Sequence, residues 1–286
     1  MQACAGFSKA RSGANRAELQ RILSKAGINI QAPPSYRADI QRLSKYSRET
    51  IRSLASLANI SVGGTVSIKI HRQSTSALLT TAETSSILVI GEPGAGKSGA
   101  LHDLAVALQA AGRDVFVLAA DRIQSSSIAA LKGELQLEHD LLDVFDNWHG
   151  SGQAFFITDA LDAARSDHAG KMLRELIGRA LQSGGRWKVV ASVRKFDLRY
   201  NRDLRALFSG EAPEGYRDPG FVQISHFLIP TLNDTELAEV GAQSQPMQHL
   251  IEKVRSGRNT DLQALIRVPF NLRLLAWIST GKSSTK

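Results

Sequence analysis

The sequence predicts an α/β chain built on a five-stranded, mainly parallel sheet. A helical segment precedes the sheet, and the start of a helical domain follows it. Three observations carry this prediction. Short apolar runs alternate with helical stretches between residues 87 and 229. Those runs are continuous rather than alternating with polar residues, as expected of strands covered on both faces. After Pro230 the strand signature stops and helical spacing takes over. The chain is read as a basic, mostly helical segment and connector (1–80), a sheet domain (81–230) and a helical domain (231–286) that is complete or truncated.

Each element has its own reason. Residues 14–27 and 38–59 have helical character. Ile40, Leu43, Ile51, Leu54 and Leu57 recur at roughly helical spacing, and Pro33-Pro34 separates the two stretches. Residues 61–85, rich in Ser, Thr and Gly, are expected to be a connector. Ile87–Ile90 reads as the first strand. A helix follows over 97–111, stopped by Gly112. Val115–Leu118 is the second strand and 138–147 a helix. Phe155–Ile157 is the third strand, and 168–183 a helix ending at Gly184-Gly185. Val189–Val193 and Phe221–Ile229 complete the sheet. Asn233 with Glu236 fits a capping box for a helix to Val240. Residues 260–267 and 269–280 form two more helices, Pro269 opening the second.

Composition narrows the function. Of 286 residues, 43% are hydrophobic and 22% charged, enough for a sizeable core. No run approaches the roughly 18 apolar residues of a membrane span. Met1–Ala10 lacks the apolar region of a secretory signal. Cys4 is the single cysteine, so no internal disulfide can form, which fits the reducing cytoplasm. The net charge of +8 is uneven: residues 1–80 carry a net +9 and the remainder −1. A basic segment of this kind suits nucleic acid, an acidic partner or an acidic face of its own protein.

The chemistry begins at Gly91-Glu92-Pro93-Gly94-Ala95-Gly96-Lys97-Ser98, a Gly-x-x-x-x-Gly-Lys-Ser pattern between a predicted strand and a predicted helix. Glycines let the backbone wrap around phosphate, and successive N–H groups with the helix N-terminus then face the anion. Lys97 is expected to reach the β- and γ-phosphates, and the Ser98 hydroxyl to coordinate Mg²⁺. The bound species is expected to be Mg-ATP, with ADP as its product. Gly94, Gly96 and Gly99 also spell a dinucleotide-type pattern, but Gly91-Glu92-Pro93 separates it from the strand, and such a site has no use for Lys97-Ser98. The third strand ends in Asp159, placed to hold Mg²⁺ directly or through water. Asp162 follows, able to orient water or serve the metal shell. The fourth strand ends in Ser-x-Arg, and Arg194 at its tip suits a γ-phosphate.

The set GEPGAGKS (91–98), FFITDALDAAR (155–165), WKVVASVR (187–194) and RVPFNLRLL (267–275) resembles the STAND class of P-loop ATPases, particularly its NACHT-like branch. The resemblance covers residues 86–280, and Asp-Ala-Leu-Asp at 159–162 is its more specific pointer. It implies a P-loop NTPase fold and a nucleotide-dependent switch, closed with ADP and open and often oligomeric with ATP. It implies phosphate and Mg²⁺ binding by Lys97 and Ser98, a metal-linked Asp159, a second acid in Asp162, Arg194 as sensor and Pro269 beside the base. Many bacterial relatives of this kind act in signalling or defence. Full switches carry winged-helix and sensor regions, so the chain is a fragment or works with a partner. Two positions depart: Ala163 replaces a further acid, and Ala160 stands where many related ATPases keep a catalytic Glu. Slow hydrolysis is therefore expected.

A rival reading is a DNA-handling AAA-like ATPase that grips nucleic acid with its basic N-terminal segment. Residues 55–67 echo a helix-turn-helix, but Gly63-Gly64 would open the recognition helix, where Gly is poorly suited. The basic run 186–205, with Trp187, Phe196 and Tyr200 interspersed, fits a nucleic-acid patch less well than a solvated face beside a phosphate site. The scattered histidines form no zinc pattern.

Overall fold

A computed structural model describes Lys25 and residues 35–281, apart from 63–65, 149, 151, 165 and 183–185. The helix expected over 14–27 lies outside the described residues, Lys25 excepted. Arg37–Lys286 forms one compact unit.

That unit opens with α1 (Arg37–Ala55), whose inward face carries Leu43, Ile51 and Leu54. The expected continuation to residue 59 fails. Asn59–Val62 (β1) pairs antiparallel with Val66–Lys69 (β2), followed by α2 (Ser74–Thr84). The expected connector is thus a hairpin and a helix. Its Ser/Thr richness concealed the alternation of Ile60, Ile68 and Ile70, all buried. The hairpin occupies the stretch where the helix-turn-helix reading needed a recognition helix, so that reading is overturned.

Next come β3 (Ile87–Gly91), α3 (Lys97–Ala110) and β4 (Asp114–Ala119). Two short helices follow, α4 (Ile128–Glu134) and α5 (Leu141–Asp146), then β5 (Ala154–Asp159) and α6 (Asp167–Gln182). The sheet continues with β6 (Trp187–Arg194), α7 (Lys195–Tyr200), α8 (Arg202–Leu207) and β7 (His226–Leu228). The expected fifth strand shrinks to three residues, because only its end pairs with β3. The order is β4-β5-β6-β3-β7, and every pairing in it is parallel. β6 is inserted between β3 and β5, so the tips of all three meet at one sheet edge, the usual place for a ligand in such folds.

Strands β3, β4, β5 and β6 are almost wholly buried, which explains their unbroken apolar runs. Phe116 and Phe156 stack at 5.5 Å, and Phe145 and Trp187 at 4.3 Å. Aromatic pairs of this kind contribute about 0.5–1.5 kcal/mol beyond their buried area. Past β7 lie α9 (Asp234–Ala242), α10 (Gln245–Ser256), α11 (Thr260–Ile266) and α12 (Pro269–Gly281). The Asn233–Glu236 capping box forms as expected. Leu237, Met247, Ile251 and Leu272 of these helices share one core with Ile60 and Ile68 of the hairpin.

Candidate functional site

Two glycines shape the loop between β3 and α3. Gly94 has φ +78 and Gly96 φ +94, both left-handed and unstrained only for glycine. A Cβ on Gly94 would stand 2.7 Å from that of Phe270. Ser98 is followed by Gly99 because the turn after α1 packs there: a Cβ would lie 3.2 Å from the Leu57 carbonyl oxygen. The loop is held from behind as well. Phe270 N–H donates to the Gly94 carbonyl at 3.2 Å, and Arg72 Nη1 to the Ala95 carbonyl at 3.2 Å.

These elements enclose a cleft of about 240 Å³. The predicted Pro93, Gly94, Gly96, Lys97, Ser98, Asp159, Asp162, Arg194 and Pro269 all line it. Gly91, Glu92 and Ala95 do not. Gly91 ends β3 behind the loop, Ala95 is buried in the sheet core, and Glu92 points away to pair with Lys195 at 2.9 Å. Lys195 also pairs with Asp218 at 2.9 Å, tying the β6 tip to the loop.

Lys97 Nζ donates to the Gly91 carbonyl at 3.1 Å and the Glu92 carbonyl at 3.3 Å. Burial pushes its ammonium below the ordinary lysine value, with nearby Asp162 opposing that shift. Asp159 is buried at the tip of β5, and burial pushes its carboxyl up. Hydrogen bonds from Ser192 and Ser98 work in the other direction. Ser192 Oγ donates to Asp159 Oδ1 at 2.6 Å and accepts from Ala160 N–H at 2.8 Å. Ala160 itself is left-handed at φ 55, an uncommon conformation for a residue with a Cβ and one that clusters at functional sites. Asp162 is held by Arg194: one oxygen accepts the Arg194 backbone N–H at 3.1 Å, the other its Nε at 2.8 Å.

No group of three or more His, Cys, Asp or Glu suited to a metal occurs among the described residues. The donors that do meet are the Ser98 hydroxyl and the Asp159 carboxylate. That set fits Mg²⁺, which is held by one or two carboxylates and completed by water and substrate phosphate.

Sequence reasoning missed Arg72 and Phe270. Arg72 is almost fully buried and bonds Glu236 Oε1 at 3.2 Å, the Ala95 carbonyl and the Pro230 carbonyl. Glu236 also accepts Gln73 N–H at 2.9 Å and Asn233 N–H at 3.0 Å. Only the Asn233–Glu236 spacing hinted at any of this. The basic run 186–205 divides. Arg186 pairs with Asp114, Arg194 with Asp162, and Trp187 is buried, whereas Phe196 and Tyr200 are exposed.

The parallel sheet order and the glycine loop that joins β3 to α3 define a P-loop NTPase fold. No protein-family model and no curated protein matches the chain. Among solved structures, the chain is similar to the structure of the Aeropyrum pernix Orc1 protein in complex with DNA, at 12% identity and a TM-score of 0.44. The match covers 73% of this chain and 61% of that one, so less than two thirds of the Orc1 chain is spanned. No helix among the described residues is long and apolar enough to cross a membrane.

Proposed function

We propose that this chain binds Mg-ATP or Mg-ADP in the cleft and acts as a slowly hydrolysing, nucleotide-dependent switch of the STAND, NACHT-like kind. The observation that carries the reading is convergence. Lys97, Ser98 and Asp159, with the Asp162–Arg194 pair, meet at the mouth of a glycine loop whose far side is closed by Pro269 and Phe270. Positive-φ glycines and the N-terminus of α3 present backbone N–H groups to phosphate. Lys97 exchanges its two loop carbonyls for phosphate oxygens. Ser98 and Asp159 would hold the metal, which would neutralise phosphate charge. Ser192 fixes the Asp159 carboxylate through its own hydroxyl. Asp162 is a positioning residue that aims Arg194 at the terminal phosphate.

Slow turnover follows from what surrounds the terminal phosphate. Ala160 offers no carboxylate to activate water, and both Asp162 oxygens are engaged by Arg194. The switch reading rests on Pro269 and Phe270, which join the helical region directly to the loop.

Lys97→Ala is expected to weaken Mg-ATP binding about 100-fold or more, a loss of ~2.7 kcal/mol for a truncated charge contact. Isothermal calorimetry reads this, and unchanged affinity refutes the site. The switch is tested separately by limited proteolysis and sizing with ADP and with a non-hydrolysable ATP analogue. Identical cleavage and identical size in both would leave a nucleotide binder and remove the switch.

A further inference from the structure

The outward face of α1 carries Arg37, Lys45, Arg48 and Arg52, all exposed, in one line with Gln41. Successive members stand three or four residues apart along the helix, so the side chains form a single ridge. From the first to the last is a helical rise of about 22 Å. None of the four enters an ion pair among the described residues, a property shared with exposed cations elsewhere such as Arg199, Arg202 and Arg258; what sets the four apart is their alignment along one helix face. Acids near the ridge are few. Asp39 faces inward and is buried, Glu138 is taken by Arg42, and Glu49 is the one exposed carboxylate on the helix.

Only part of this arrangement serves the helix, since Arg52 in the last turn suits the macrodipole. Arg37 sits in the first turn, where the macrodipole favours acids. Arg48 stands within one turn of both Lys45 and Arg52, where like charges repel, and Glu49 offsets this only in part. We infer that the α1 ridge is a docking surface for the phosphodiester backbone of duplex nucleic acid. The ridge length matches about six phosphates of one strand, which repeat every ~3.4 Å along the duplex axis.

The chemistry of the ridge selects this occupant. A protein partner needs an apolar centre in its interface, and the ridge has no exposed large hydrophobic side chain. A lipid surface engages a helix through an apolar face, and the apolar face of α1 (Leu43, Ile51, Leu54) is buried against the sheet. The ridge lies outside the nucleotide cleft, so the inference stands or falls without the proposed function.

The test is duplex DNA binding by the full chain, without nucleotide, followed by fluorescence anisotropy between about 50 and 200 mM salt. Replacing Arg37, Lys45, Arg48 and Arg52 with Gln should flatten the log–log salt slope by about 3.6, or roughly 0.9 per phosphate contact. Glu49→Lys should steepen it by up to about 0.9, a gain that a damaged fold does not produce. The inference is overturned if the full chain binds no duplex at the lowest salt, or if neither variant moves the slope. It is also overturned if the ridge is needed for phosphatidylserine vesicles and not for DNA, which would make it a membrane contact.

Discussion

Asp159 shows what a buried carboxylate does to the stability of its fold. Its carboxyl is raised by burial, so in the folded chain it holds a proton more tightly than in the unfolded one. This contribution to stability is fully present below the unfolded carboxyl value of 3.8 and is lost as pH rises through the raised folded value. At neutral pH the ionised group is a liability until a cation joins it. Asp159→Asn should therefore raise the melting temperature of the metal-free protein at neutral pH and leave it nearly unchanged in acid. Thermal unfolding across a pH series without Mg²⁺ measures this. A lower melting temperature at neutral pH would show that the carboxylate is structurally required. The same variant should lose Mg-dependent turnover by about 100-fold, the scale for removing one charge-stabilising group.

The residues of the cleft were legible unevenly. Lys97 and Ser98 are fixed by local spacing, since strand, loop and helix are contiguous. Asp159 and Arg194 were legible as strand tips, because a buried strand ending in a charged residue at a sheet edge leaves that charge few other places. What their sequence positions do not show is mutual geometry. That Asp162 spends both oxygens on Arg194 depends on two loops whose relative placement no single segment encodes.

At the scale of elements, the informative failure is the segment 59–84. Its strands are four residues each, too short for alternation to stand out from a Ser/Thr background. They hold together because Ile60 and Ile68 bury against helices that lie some 170 residues later in the chain. Arg72 follows from the same long-range packing. It leaves the hairpin to bridge the loop at Ala95, the linker at Pro230 and the helix cap at Glu236. Glu236→Ala removes one member of a nearly fully buried ion pair and should cost about 3–5 kcal/mol in chemical denaturation. Replacing Arg72 and Glu236 together by apolar residues should cost less than the two single changes summed, since no buried charge is left alone. Strict additivity would mean that the pair is not coupled.

For the whole molecule, the sheet core and the hairpin–helix core are separate clusters that meet at the glycine loop. Arg72 reaches the loop from one core segment, and Phe270 reaches it from the helix that closes the other. A ligand that orders residues 91–98 is therefore expected to order the helical region as well, through Arg72 and through Pro269 and Phe270 at the cleft wall. Nucleotide at about 100 times its dissociation constant adds ~2.7 kcal/mol to stability. For a chain of this size each kcal/mol is worth ~2–4 °C, so melting should rise by about 5–11 °C. The location of the gain is the sharper expectation. Hydrogen exchange should slow in α9–α11, remote from the phosphates, as well as in the loop itself. Arg72→Ala should keep the slowing in the loop and weaken it in α9–α11, because the loop glycines, Lys97 and Ser98 are untouched and the Phe270 contact remains while the bridge to Glu236 is gone. Equal exchange in α9–α11 with and without nucleotide in the unaltered protein would mean that the two cores share a boundary but no signal.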